Sequence, residues 1–354
     1  MTTLAKVREY VLDRKETLSD EIISIKSMMM DPMHPGKLIV RRPNSSKQDE
    51  YDFDKRIYSQ APSVVYDLPG SYLEKLISGK NSDHSLAAMN FNHWVKCSKD
   101  KDVLLRFRKE KGERVVRAMK NATWNPIPYE ESVEAFIAKF GEDKDVKFSL
   151  SEDRMIIDFV TKEIEPQVWT GKTKVGDPIK WGVRFKDSDA GVGDMTLGPY
   201  TMRLHCLNGA TSMTKGVIIS FSHTSKETGV ISEIMSQLRQ GIEIVDSYST
   251  KVVEQIEAAS SIKLKVNQED QLPLSALTRL RKDFLVTGLE EKYIKEGWYA
   301  EQESIPDNTL YRLSNALTRS GTHAEELDED RKLKLQIVGG RILETALLPD
   351  YSWN

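Results

Sequence analysis

Apolar residues recur at three-and-four spacing in the first stretch (Leu4, Val7, Val11), and Ser19-Asp20-Glu21 reads as a second start before Ile22, Ile23 and Ile25. Residues 1–30 therefore predict helix, stopped by Asp31-Pro32-Met33-His34-Pro35-Gly36. From there to Asn81 the chain is rich in Pro, Asn, Ser and Tyr without sustained periodicity, which predicts loops and short strands forming a cover. A helix is predicted over Ser82–Lys99, with Leu86, Met89, Asn90 and His93 along one side. The period then changes to two. Val103–Arg108 and Arg114–Met119 predict a hairpin closed by a five-residue loop, Lys109-Glu110-Lys111-Gly112-Glu113. Glu130–Phe140 predicts a helix, Val146–Leu150 and Met155–Val160 a second hairpin, and Lys180–Phe185, Tyr200–Cys206 and Val217–Phe221 further strands. Beyond Glu227 the pattern is helical almost to the end.

This order predicts an α+β fold, with a mixed, mainly antiparallel sheet, flanking helices and a helical C-terminal third. The expected division is 1–81 as N-terminal helix and irregular cover, 82–226 as the α+β core, and 227–354 as a helical arm. Within that arm, Ile234, Leu238, Ile242, Val245, Val252, Val253 and Ile256 form an apolar series expected to drive self-association into a homo-oligomer.

Composition narrows the function classes. With 354 residues, 39% hydrophobic and 30% charged, the chain is long enough for a substantial core and too balanced for disorder. No apolar run approaches a membrane span, and Met1–Glu9 mixes both charge signs, so no membrane partner and a cytoplasmic location are expected. Two cysteines, Cys97 and Cys206, supply neither a disulfide framework nor a four-cysteine zinc site. A net charge of −3 gives no global attraction to a polyanion, so any such site must be a local patch.

Most chemical motifs fail on inspection. Thr170-Gly171-Lys172-Thr173 resembles the end of a phosphate-binding loop, but the glycine required upstream is Pro166, so a surface turn between strands is expected. Gly191-Val192-Gly193 lacks the third glycine of a dinucleotide fingerprint and reads as a turn. Asp187, Asp189, His205 and His223 would suit a mixed metal site, except that His205 and Cys206 are adjacent in a predicted strand and point to opposite faces. No catalytic residue, metal or cofactor is assigned. The run Glu325–Asp330 reads as the acidic opening of a helix.

One charge feature rises above this background. Between Lys96 and Lys120 ten Lys and Arg stand against four acids, a local +6 in a chain of net −3. Arg106 and Arg108 alternate with Leu105 and Phe107, giving a strand with one cationic face; Lys109, Lys111, Arg114 and Arg117 extend the basic set. These six residues are the candidate nucleic-acid contacts; Arg106, Arg108, Lys109 and Lys111 are expected to be solvated, with Phe107 turned into the core. Arg114 and Arg117 lie three apart and share a face only if a bulge intervenes.

Three motif groups, in order, resemble a known family. Arg117-Ala118 followed by Pro126-Ile127-Pro128 comes first. The Asp187-Ser188-Asp189-Ala190-Gly191 turn then precedes Arg203-Leu204-His205-Cys206-Leu207-Asn208-Gly209. The last is Thr309 through Asn315-Ala316-Leu317-Thr318. Over about 100–320 the chain resembles the phage and plasmid-like protein family that carries the domain of unknown function DUF 932. The resemblance implies a mobile-element protein without an established activity. A non-enzymatic protein that binds single-stranded DNA or RNA in phage or plasmid DNA metabolism, with possible strand annealing, is the leading expectation. A metal-dependent nuclease-like enzyme and a phage structural or host-interaction protein are the alternatives.

Overall fold

The computed structural model describes residues 1–34, 36–42, 48–54, 56–65, 68, 70–78, 82–170, 172–203, 209–211, 219–221, 230–266, 271–349 and 351–353. The helices among them are α1 (Leu4–Glu16), α2 (Arg56–Val64), α3 (Gly70–Ile77), α4 (His84–Cys97), α5 (Tyr129–Phe140), α6 (Val230–Ser247), α7 (Ser249–Ser261), α8 (Leu274–Phe284), α9 (Gly288–Ala300), α10 (Leu310–His323) and α11 (Glu329–Thr345). The fold is α+β, as the order of periodicities predicts.

The described strands form two large sheets and a separate two-stranded hairpin. The central sheet runs Thr2–Thr3, Asp145–Leu150, Met155–Ile164, Ile179–Asp187, Met195–Arg203, Gly209–Thr211, with Ile219–Phe221 also paired to Met195–Arg203. The outer sheet runs Leu18–Ser24, Asp102–Glu110, Glu113–Asn121, Gln48–Phe53, Lys37–Arg41, Met28–Met30. Its only parallel pair among these residues joins Gln48–Phe53 to Glu113–Asn121.

Each sheet has its own core, because period-two alternation gives each an apolar face. In the central sheet Trp181, Val183 and Phe185 are buried with Phe136 of α5, whose ring lies 4.2 Å from that of Phe159 and 5.0 Å from that of Phe185. Arg184 alternates to the other face, where its guanidinium donates to both Asp158 carboxylate oxygens at 2.6 and 2.7 Å and to Gln336 of α11 at 2.5 Å. In the outer sheet Val103, Leu105, Phe107, Val116 and Met119 pack with Ile57, Leu73, Ala88, Phe91 and Val95 of α2, α3 and α4.

Four expectations are corrected. Leu18–Ser24 is an edge strand, not a second helix: Ile22 and Ile23 are β-branched, and the segment pairs along its length with Asp102–Arg108. The stretch 37–81 holds strands and helices whose Leu38, Val40, Phe53, Ile57 and Tyr58 build the outer core instead of covering another one. On α4 the buried side is Ala87, Ala88, Phe91 and Val95, while Met89 is exposed. The apolar series of α6 and α7, expected to seek a second chain, is satisfied at home. Leu238, Ile242, Val245, Val252 and Ile256 are buried in the cluster that contains Trp181 and Phe185.

Thr170 and Thr173 pair at the end of the small hairpin, in keeping with a turn between strands. Among the described residues no helix is long and apolar enough to cross a membrane. His205, Cys206, Asn208 and His223 lie outside the described residues.

Candidate nucleic-acid interface

The basic hairpin is tighter than its sequence suggests. Its strands extend to Glu110 and Glu113, leaving only Lys111 and Gly112 in the turn, at φ 49° and 92°. Two consecutive positive φ angles are what a type I′ two-residue hairpin turn requires, and glycine supplies the second at little cost.

The six candidate cations separate into two groups. Arg106 is only 7% exposed; Nε and Nη2 donate to the two Asp20 carboxylate oxygens at 2.8 and 2.7 Å, and Nη1 donates to the Asp189 carbonyl at 2.8 Å. Its guanidinium also lies 5.0 Å over the Trp124 ring. Arg117 is 6% exposed and binds Asp54 at 2.9 Å, Glu152 at 3.1 Å, and Glu110. The expectation that Arg106 is solvated is therefore wrong, and Arg117 is buried with it. The +6 count takes in acids near in sequence, whereas Asp20, Asp54 and Glu152 lie 86, 63 and 35 positions away and are brought in by the fold.

The other four cations gather at the turn. Lys109 and Lys111 are exposed and have no ion pair among the described residues. Arg108 pairs with Glu110 at 3.2 Å, and Arg114 with Glu21 at 2.7 Å. A register shift lies between Arg106, opposite Ala118, and Phe107, opposite Val116, so Arg117 is the extra residue of a bulge. It turns toward Glu110 and Glu152, while Arg114 lies 3.9 Å over the Phe107 ring and 5.6 Å from that of Tyr51. The bulge thus sends the two arginines to different neighbours.

Two residues of this patch, Arg42 and Tyr51, were missed in the sequence. Arg42 donates to Glu21 at 2.8 Å, to Asp49 at 2.7 Å and to the Tyr51 hydroxyl at 3.0 Å. Burial alone would raise the Glu21 pKa, but hydrogen bonds from Arg42 and Arg114 hold it below the usual carboxylate range. The only local signal is the Arg41-Arg42 pair at the end of a short strand, too common to single out.

The Asp187–Gly191 turn fastens the outer sheet to the central one. Asp189 accepts from Arg14 Nε at 2.5 Å and Nη2 at 2.9 Å, and its N–H donates to the Tyr129 hydroxyl at 2.8 Å. Burial pushes the Tyr129 phenol well above its ordinary value. Gln60 donates to the Ala190 carbonyl at 2.7 Å while accepting the Met119 N–H at 2.9 Å. Lys120 donates to the Gly191 carbonyl at 2.7 Å. A cleft of about 400 Å³ remains beside this junction, lined by Arg14, Asp20, Arg106, Tyr129 and Asp189 among others.

These contacts bear on the enzyme alternative. Both Asp189 carboxylate oxygens are held by Arg14, and Asp187 Oδ1 accepts the Ser188 N–H at 2.7 Å. Among the described residues no group of three or more His, Cys, Asp or Glu is placed to hold a metal ion. Gly191 has φ 66°, and a Cβ there would stand 2.3 Å from Lys120 Cε and 3.2 Å from the Trp124 ring. Gly191→Ala is therefore expected to cost about 1–3 kcal/mol, from backbone strain and displacement of Lys120. An unchanged denaturant midpoint would contradict this packing.

The family-like motifs fall at structural positions. Arg203 is buried against Asp177 and Glu301, Thr309 caps α10 by accepting the Arg312 N–H at 3.2 Å, and Asn315 donates to the Tyr311 carbonyl at 2.9 Å. Comparison with protein-family models, with curated proteins and with solved structures gives no match.

Proposed function

We propose that the protein is a non-enzymatic single-stranded nucleic-acid-binding protein, suited to strand annealing in phage or plasmid DNA metabolism. Its proposed contact is the turn end of the basic hairpin: Arg108, Lys109, Lys111 and Arg114, flanked by Arg42 and Tyr51. The observation that carries this reading is Arg114, whose guanidinium carbon lies 3.9 Å from the centre of the Phe107 ring while 35% of its side chain stays exposed, opposite Lys109 on the adjoining strand. Single strands are held by cations that track the backbone and by planar groups on which bases stack, and a guanidinium supplies both. Several acids of the patch are already engaged: Glu21 by Arg42 and Arg114, Asp49 by Arg42, and Glu110 by Arg108 and Arg117. At the turn itself Lys109 and Lys111 are exposed and form no ion pair among the described residues, while Glu110 is held by Arg108 and Arg117. The motif resemblance to a mobile-element family supports placing this activity in phage or plasmid DNA metabolism.

Mobility-shift titration against single- and double-stranded DNA and RNA tests the proposal. If the four cations touch phosphates, the log–log salt slope for a single strand should be about −3, from roughly −0.7 per contact. Lys109→Ser with Lys111→Ser should flatten that slope by about 1.4 and weaken binding to all sequences alike. Stability should stay within about 0.5 kcal/mol of the parent, since both side chains are exposed. A parent that binds neither single-stranded DNA nor RNA at low salt would overturn the proposal.

A further inference from the structure

Leu285 ends α8 in the left-handed conformation, φ 54° and ψ 37°, at a position where glycine is usual because a Cβ is strained there. The helix terminus does not need this side chain. Val286 donates its N–H to the Leu280 carbonyl at 3.1 Å and is itself buried, and Lys334 Nζ donates to the Leu285 carbonyl at 2.7 Å. The Leu285 side chain instead stands 73% exposed, with Leu289 at 43% on the adjoining helix. Lys282 lies one turn before Leu285, and Lys292 one turn after Leu289. Both lysines are exposed and without an ion pair among the described residues, whereas neighbouring Arg281 and Lys334 are taken by Glu291 and Glu290. The backbone is thus strained to present an apolar knob near two lysines that form no ion pair among the described residues, Lys292 lying 5.0 Å over the Tyr293 ring.

The opposite chemistry occurs elsewhere on the same chain. A pocket of about 320 Å³ lies between the second half of α9 and the end of α10. Small residues line it (Gly297, Ala300, Ala324), together with the exposed carboxylates Glu296, Glu325 and Glu326; the lining also holds His323 and Arg319, whose guanidinium is paired with Glu301. Glu296 and Glu325 have no ion pair among the described residues. Leu285 is 73% exposed and is not among the residues lining this pocket, so the knob does not fill the pocket of its own chain.

We propose that a second copy of this chain seats Leu285 in the pocket beside α9, with Lys282 and Lys292 meeting Glu296 and Glu325. Knob and pocket are both present on every copy, so the contact closes reciprocally in a two-fold dimer or repeats around a ring. It lies in the helical arm, away from the outer sheet and its nucleic-acid patch, and does not depend on that patch.

Sedimentation velocity of the full chain, with thermal denaturation alongside, tests the proposal. The parent should self-associate. Leu285→Gly should weaken association by more than roughly tenfold, as removal of a central anchor does, while melting at or above the parent temperature because left-handed strain is relieved. Lys282→Glu with Lys292→Glu, and separately Glu296→Lys with Glu325→Lys, should each be monomeric, and mixing the two charge-reversed proteins should restore assembly. A parent that stays monomeric, a Leu285→Gly protein that associates like the parent, or a mixture that remains monomeric would each overturn it.

Discussion

Replacing Arg203 with alanine is expected to destabilise the fold by about 3–5 kcal/mol, because it strands buried carboxylates without their cation. Arg203 Nε donates to Asp177 Oδ2 at 2.6 Å and Nη1 donates to Glu301 Oε2 at 3.1 Å. Both acids are almost completely buried. Tyr311 donates to the same Asp177 oxygen at 2.7 Å, and Arg319 holds the other Glu301 oxygen at 3.3 Å, so the cluster links the central sheet to α9 and α10. Arg319 alone cannot serve both carboxylates. Removing cation and carboxylate together, Arg203→Met with Asp177→Leu, should recover part of the loss, because apolar replacement of a buried pair avoids the desolvation of an orphaned charge. Urea denaturation would measure both. A single-variant loss below about 1 kcal/mol would mean that the site admits water and that the pair behaves like one at the surface.

Arg203 also shows what the sequence could and could not reveal. Its place in an Arg-x-x-Cys-x-Asn-Gly run is visible, but nothing local says that Asp177, Glu301 and Tyr311 converge on it; those partners lie 26, 98 and 108 positions away. An element with a strong internal period was legible: α5 begins within one residue of where apolar spacing puts it and ends at the same Phe140. Leu18–Ser24 was not, because a short isoleucine-containing run serves equally as helix or strand until a neighbour such as Asp102–Arg108 offers its ladder. The helices α2 and α3 escaped for a different reason. Pro62 lies inside α2 and glycine opens α3, and both residues read locally as turn signals.

Charge was the least transferable signal. A window that counts acids over twenty-five residues treats Arg106 and Lys109 alike, yet one is enclosed by Asp20, Trp124 and the Asp189 carbonyl while the other is exposed at a turn. The difference follows from position along the strand. Arg106 lies mid-strand, where the Asp187–Gly191 turn of the central sheet docks, and a cation buried there requires a carboxylate partner. Lys109 and Lys111 lie where the hairpin runs past that junction, beside the end of α1, whose Thr17 carbonyl accepts the Lys109 N–H at 2.8 Å. The same run of basic residues therefore does two jobs. Its middle joins the sheets, and its end supplies the proposed binding patch.

Phe107 lies where those two jobs meet, and Phe107→Ala is expected to impair both. The ring is buried in the outer core, 4.8 Å from the Tyr51 ring, and truncating a buried phenylalanine costs about 3–5 kcal/mol. It also forms the platform beneath Arg114, so its loss removes a cation–π contact of about 0.5–2 kcal/mol and frees the guanidinium to rotate away from the surface it presents. Phe107→Leu separates the two effects. Leucine keeps an apolar side chain in the core and should cost no more than about half as much stability, but it offers no ring face. Single-strand affinity should then fall in Phe107→Leu although the protein remains folded, and it should fall further in Arg114→Ser. If Phe107→Leu binds single strands as the parent does while Arg114→Ser does not, the stacked guanidinium is not the binding element and Arg114 acts through charge alone.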